Sequence, residues 1–237
     1  MTDEAHQPTP QPVGDLGTAS SQARVQFVGT GPGDPNLLTL GAVDAINRAQ
    51  VIVISCAEHR MLLGSDFLGL RPDVRIVLAG GVDEEAAVLL SQPGTCASTP
   101  VDVDEPCADV TATVIDAASQ GLEVVRLVSG DPFLDGDIGA EAAAVARADY
   151  DVDVVPGVTG MTAVPEYAGL TLHGHDVQLI GDAACQRDIA GHGSNWSDQG
   201  LIVVNTEAGK LKEVVKHASE SGRGENEPAA LICHGAT

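Results

Sequence analysis

With 237 residues, 43% of them hydrophobic, the chain can bury a core as one large α/β unit or as two smaller lobes around a shared cleft. Its formal net charge of -22, from 12 basic and 34 acidic residues, repels phosphate backbones and argues against nucleic acid as a partner. No apolar run approaches the roughly 18 residues that cross a bilayer, and the 5 cysteines lack CxxC spacing, so neither a membrane span nor a metal site is expected.

Residues 1–23 read as a disordered tail: Met1 to Ser21 is polar, carries Pro8, Pro10 and Pro12, and lacks the basic start and apolar stretch of a secretory signal. A cytoplasmic protein is expected. Val25 to Val28 is a short β-branched and aromatic run followed by glycines, which predicts a strand. Leu37 to Ala49 has a helical pattern, with Leu38, Ala42, Ala45 and Ile46 on one face. Val51 to Ile54 is apolar without alternation, as in a parallel strand covered on both faces, and Arg75 to Leu78 is a further strand. Between Arg75 and Arg126 there is no Lys or Arg. Gly80 to Asp109, rich in Gly, Pro, Ser, Thr and acid, reads as the least ordered internal part.

Beyond it, Val110 to Ser119 is predicted helical, Glu123 to Val128 a strand, Ile138 to Ala148 a helix and Val152 to Val155 a strand. Thr162 to Ala168 then reads as a helix, Val177 to Ile180 and Leu201 to Val204 as strands, Leu211 to Ser219 as a helix, and Ala229 to Cys233 as a last strand. This alternation predicts an α/β fold with mainly parallel sheets. Gly, Pro and Asp cluster from Pro132 to Asp137, which marks a candidate boundary.

Three glycine-proline motifs each follow an apolar strand: Gly29 to Pro35, Ser129 to Pro132, and Pro156 to Gly160. Ligands of open α/β sheets bind outside the carboxyl ends of strands, so three such turns point to one shared cleft. The first is GxGxG and not the dinucleotide GxGxxG, and neither a P-loop nor a GxSxG elbow is present.

These segments carry a specific resemblance. VQFVGTGPGDPNLLTLGAVDAI, VVRLVSGDPFLDGDIGAE and VDVVPGVTGMTAVPEYAGLTL are similar, in order and spacing, to the three signatures of the tetrapyrrole methylases. Phe133 and the VPEYAGL segment resemble the uroporphyrinogen-III C-methyltransferase branch.

The resemblance implies a two-lobed tetrapyrrole methylase fold, with lobes at 24–134 and 135–237 and a cleft for S-adenosyl-L-methionine (SAM) between them. It further implies a homodimer, a tetrapyrrole substrate and S-adenosyl-L-homocysteine as a product. The implied cofactor-binding residues are Pro32, Ser129, Gly130, Asp131, Leu134, Thr159, Gly160, Thr206 and Ala230. No catalytic residue is assigned. Asp34 is a candidate proton acceptor, although an Asp opening a turn before a helix is more often an N-cap.

The chain departs from the family pattern on the substrate side. Asp137 stands at an arginine position, Ile54 to Glu58 lacks the family's acid, and His173, His175 and His234 occupy stretches that are basic or ERGT-like in relatives. The chain end also reads as truncated, like the methylase half of a fusion with uroporphyrinogen-III synthase. Two alternatives therefore stand beside an active uroporphyrinogen-III methylase: a degenerate ligand- or partner-binding module, and a methylase of another corrin or non-tetrapyrrole substrate.

Overall fold

The structure is a computed structural model that describes residues 23–79, 103–107, 109–136, 138–193, 195–233 and 235. Strands β1 (Arg24–Gly29), β2 (Val51–Ile54), β3 (Arg75–Ala79), β4 (Val103–Cys107), β5 (Val124–Val128) and β6 (Asp151–Val155) form one sheet in the order β4-β3-β2-β5-β1-β6. A second sheet pairs β7 (Val177–Ile180) with β8 (Leu201–Val204). The ladders between these named strands are parallel, as the uninterrupted apolar runs predicted.

The helices are α1 (Leu40–Arg48), α2 (Ala57–Leu63), α3 (Val110–Ser119), α4 (Gly139–Arg147), α5 (Gly160–Tyr167), α6 (Asp182–Ile189) and α7 (Leu211–Glu220). Both faces of the larger sheet are covered. On one face Val25, Phe27, Val51, Val53 and Val124 pack with Val114, Ala117 and Ala118 of α3 and Val145 of α4. On the other, Val28, Ile52, Ile54, Val125 and Leu127 pack with Ala42, Ala45 and Ile46 of α1. Each such branched or aromatic side chain removed from water contributes about 1.5–3 kcal/mol. The smaller sheet has its own cluster around Ile180, Cys185 and Trp196, whose indole N–H donates to Asp188 at 2.8 Å.

Several expectations shift. The helix predicted from Leu37 starts at Leu40, because Pro35–Leu37 forms a separate 3-10 turn and the Thr39 hydroxyl caps α1 by accepting from Ala42 N–H at 3.1 Å. The stretch from Gly80 to Asp109, read as least ordered, contains β4, and the rest of it up to residue 102, with 108, lies outside the described residues. Short helices α2 and α6 had no counterpart in the sequence pattern. Ala229 to Cys233 is irregular and not a strand; Leu231 is exposed there. The division expected at residue 134 meets a different grouping of strands: β6 pairs with β1 along Arg24↔Asp151 to Val28↔Val155, so the sheets part after β6. Among the described residues, no helix is long and apolar enough to cross a membrane.

Candidate cofactor cleft

Register brings the three motifs together. Gly29 pairs with Val128 and Val28 with Val155, so the chain leaves β1, β5 and β6 at one level of the sheet. We term the turns loop 1 (after β1), loop 2 (after β5) and loop 3 (after β6). Because β1 lies between β5 and β6, loop 1 is the middle of the three.

Loops 1 and 2 are stitched by a bridge between Gly31 and Gly130: Gly31 N–H donates to Gly130 C=O at 3.2 Å, and Gly130 N–H donates to Gly31 C=O at 2.8 Å. Thr30 adds its N–H to the Val128 carbonyl at 2.9 Å. Loop 3 closes against both, with a Cβ on Gly29 reaching 2.5 Å from Gly157 N and 2.7 Å from Gly130 O. Only glycine allows backbones to approach this closely. A Cβ on Gly160 would stand 3.5 Å from Pro32, so loops 1 and 3 meet there.

Two carboxylates organise the remainder. Asp131 Oδ1 accepts from Phe133 N–H at 3.0 Å and Leu134 N–H at 3.1 Å, while Oδ2 accepts from Gly157 N–H at 3.3 Å. Asp135 Oδ2 accepts from Asp131 N–H at 2.7 Å, and its Oδ1 accepts from the Thr159 hydroxyl at 2.9 Å. Burial pushes the Asp135 carboxyl up from its ordinary range, opposed by the hydrogen bond from the Asp131 amide. The Thr159 oxygen also caps α5 by accepting from Met161 N–H at 3.2 Å.

Loop 2 reaches the second sheet as well. The Leu134 carbonyl lies 3.6 Å from a Cβ placed on Gly181, just past the carboxyl end of β7, and Met161 Cε is 3.7 Å from the same point. Thr206 follows β8 at the same end, with its hydroxyl buried beside Cys185 and making no bond of normal geometry. Of the nine implied residues, eight sit at or beside these strand ends. Ala230 instead lies exposed in irregular chain after α7.

The structure adds residues that the sequence had not singled out. His59 of α2 is buried, and its Nε2 lies 3.2 Å from Ser129 Oγ. Burial first, and the Arg126 guanidinium second, push its pKa down to about 3, so the ring is neutral. Cys56 Sγ is 3.8 Å from the same hydroxyl, and burial raises its pKa. The only sequence signal was that Ile54 to Glu58 departs from the family pattern. Asp34 is the N-cap of the Pro35–Leu37 turn, accepting from Asn36 N–H at 2.8 Å, and also accepts from the Tyr167 phenol at 3.0 Å. The Asn36 amide and the phenol hold its pKa low. His173 and His175 are exposed, while Asp137 and His234 lie outside the described residues.

Comparison with known proteins matches residues 24–237 to the Tetrapyrrole (Corrin/Porphyrin) Methylases. The chain belongs to the tetrapyrrole methylase family. As a tetrapyrrole methylase it is 30% identical over 227 residues to a uroporphyrinogen-III C-methyltransferase of Sinorhizobium sp., covering 92% of this chain and 73% of that protein. It is 31% identical over 222 residues to a siroheme synthase of Methylococcus capsulatus, covering 90% of this chain and 42% of the other. The chain thus spans 42% of the length of this and two other siroheme synthases that it matches. A Thermus thermophilus uroporphyrin-III C-methyltransferase complexed with S-adenosylhomocysteine superposes with a TM-score of 0.53 at 25% identity, over 85% of this tetrapyrrole methylase and 74% of that chain.

Proposed function

We propose that the chain is a SAM-dependent C-methyltransferase that converts uroporphyrinogen III to precorrin-2, in sirohaem or cobalamin synthesis. The observation that carries this reading is the convergence of the three glycine loops at one level of the sheet, in a chain that matches the tetrapyrrole methylases from residue 24 to its end.

The residues present fit such a cofactor. Side chains are excluded where Gly29, Gly130 and Gly157 meet, so the three loops pack backbone to backbone, and the buried Thr206 hydroxyl after β8 retains bonding capacity. Pro32, Ser129, Gly130, Asp131, Leu134, Thr159, Gly160 and Thr206 would line it. Ala230 enters this set on family resemblance alone. When bound, SAM supplies a methyl group already activated on its sulfonium.

The protein then needs no nucleophile. Its loops would hold the cofactor and orient the accepting pyrrole carbon towards it while excluding water. Asp131 fixes the Phe133 and Leu134 amides, and Asp135 with Thr159 ties loop 2 to α5, so the wall is rigid before ligand arrives. Asp34, held as a carboxylate by Asn36 and Tyr167, is available to accept the proton that the methylated substrate gives up from a pyrrole nitrogen or a bridging methylene, since the methylated carbon itself carries none. A homodimer and a cytoplasmic setting belong to the same reading.

Calorimetric titration of the purified chain with SAM and S-adenosylhomocysteine, then with anaerobic uroporphyrinogen III, tests it. Binding of both classes followed by methylated product supports the proposal. SAM binding without uroporphyrinogen binding favours a second reading, a ligand-binding module or a methylase of a less anionic substrate. The acids Asp34, Asp131 and Asp135 around the loops favour that alternative, since eight substrate carboxylates call for cations.

A further inference from the structure

The Ser129, His59 and Cys56 group lies at the carboxyl ends of β5 and β2, on the side of loop 1 away from loop 3. Asp131, Asp135, Thr159 and Gly160 tie loop 2 to loop 3 and, through Leu134, to the second sheet. Ser129 faces the other flank and is exposed, while its partner His59 is 2% exposed.

The imidazole has one partnered nitrogen and one without. Nε2 is 3.2 Å from Ser129 Oγ, and Nδ1 is buried with no hydrogen-bond partner. A neutral ring carries one proton. A buried N–H lacking an acceptor is costlier than a buried lone pair lacking a donor, so the proton belongs on Nε2. Nε2–H then donates to Ser129 Oγ, and the serine proton must point elsewhere. Cys56 keeps its thiol proton, because burial raises its pKa, and is at 3.8 Å only a weak acceptor. The serine O–H is thereby released towards the open flank.

We propose that His59 is a positioning residue that fixes the Ser129 hydroxyl as an outward donor to a carboxylate of the tetrapyrrole substrate. This rests on the function proposed above and deepens it. In a cleft whose loops carry acids, a neutral donor with its direction set from behind recognises a carboxylate without a compensating cation. A carboxylate accepting such a bond strengthens it relative to a neutral acceptor.

Two measurements test the assignment. Long-range ¹H–¹⁵N correlation on labelled protein should show His59 as the Nε2–H tautomer; an Nδ1–H tautomer reverses the donor order and overturns the proposal. Calorimetry should show Ser129→Ala weakening uroporphyrinogen III binding about tenfold, a larger loss than any it causes in S-adenosylhomocysteine affinity. His59→Leu should match it, the double variant should be no weaker than either, and His59→Gln, whose amide places an N–H near Nε2, should restore binding. Additive losses, or a loss confined to S-adenosylhomocysteine, overturn it. If wild-type protein binds uroporphyrinogen III and Ser129→Ala binds it equally, only this inference falls. If wild-type protein binds S-adenosylhomocysteine but no uroporphyrinogen, the functional reading falls and takes this inference with it.

Discussion

A side chain on Gly29 would place its Cβ 2.5 Å from the amide nitrogen of Gly157, and one on Gly157 would come to 2.9 Å from Gly29 Cα. The obstacles are backbone atoms of neighbouring strands, which cannot swing aside as a side-chain tip can. Gly157→Ala should therefore cost about 3 kcal/mol of stability and abolish S-adenosylhomocysteine binding, because loops 1 and 3 must part. Gly209→Ala, at a position with open space within 4 Å, is the control and should change neither. Denaturant unfolding with and without ligand decides; equal behaviour of the two variants would mean that the close approach of the loops is dispensable.

The sheet was legible because buried parallel strands leave a strong mark. Val51 to Ile54, Val177 to Ile180 and Leu201 to Val204 were bounded by the residues that form them. Loop positions were legible because glycine and proline punctuate strand ends. Short helices such as α2 left little signal: over 7 residues, Leu62 and Leu63 are the buried apolar side chains among those described, too few to set a period. Asp135 and His59 were missed for a different reason. Their partners, Thr159 and Ser129, are 24 and 70 residues away, and no local pattern announces a hydrogen bond of that separation. The placement of β6 beside β1 was likewise a matter of long-range pairing, invisible to a boundary drawn from Gly and Pro content.

Arg126, on central strand β5, pairs with Glu141 of α4 at 3.1 Å, with both side chains nearly covered at 10% and 14% exposure. Removing one member strands a buried charge, which costs about 3–5 kcal/mol. Glu141→Ala should lose an amount of that order in urea unfolding. The exposed pair Arg48 and Asp44, although only 2.7 Å apart, should lose less than about 1 kcal/mol on Asp44→Ala. Comparable losses at the two sites would indicate that solvent reaches Arg126 in solution.

Asp131 accepts three backbone N–H bonds, from Phe133, Leu134 and Gly157, which no neutral side chain at this position can reproduce in full. Asp131→Ala should weaken S-adenosylhomocysteine at least about tenfold, with a smaller loss for Asp131→Asn, which retains one acceptor oxygen. Thr159→Val should produce a milder loss by releasing Asp135, whereas Thr159→Ser keeps the hydroxyl and should bind normally. The order of the four affinities, measured by calorimetry, checks the argument; a Thr159→Ser protein as weak as Thr159→Val would show that the methyl group, not the bond to Asp135, matters.

His59 links the site to pH. In the folded chain burial and Arg126 lower its pKa to about 3, against 6.5 for the free side chain. Between those values the unfolded chain binds the proton and the folded chain does not, so stability is full above pH 6.5 and falls as pH drops towards 3. At pH 5 the loss from this one group is about 2 kcal/mol. His59→Gln has no such proton to bind, so it should lose less stability than wild type between pH 7.5 and pH 5 by about that amount. The exposed His173 and His175 are common to both proteins and cancel in the difference. Urea unfolding at the two pH values gives the comparison directly. Parallel losses in wild type and variant would mean that the imidazole protonates inside the fold as readily as outside it, and that α2 opens to water under those conditions.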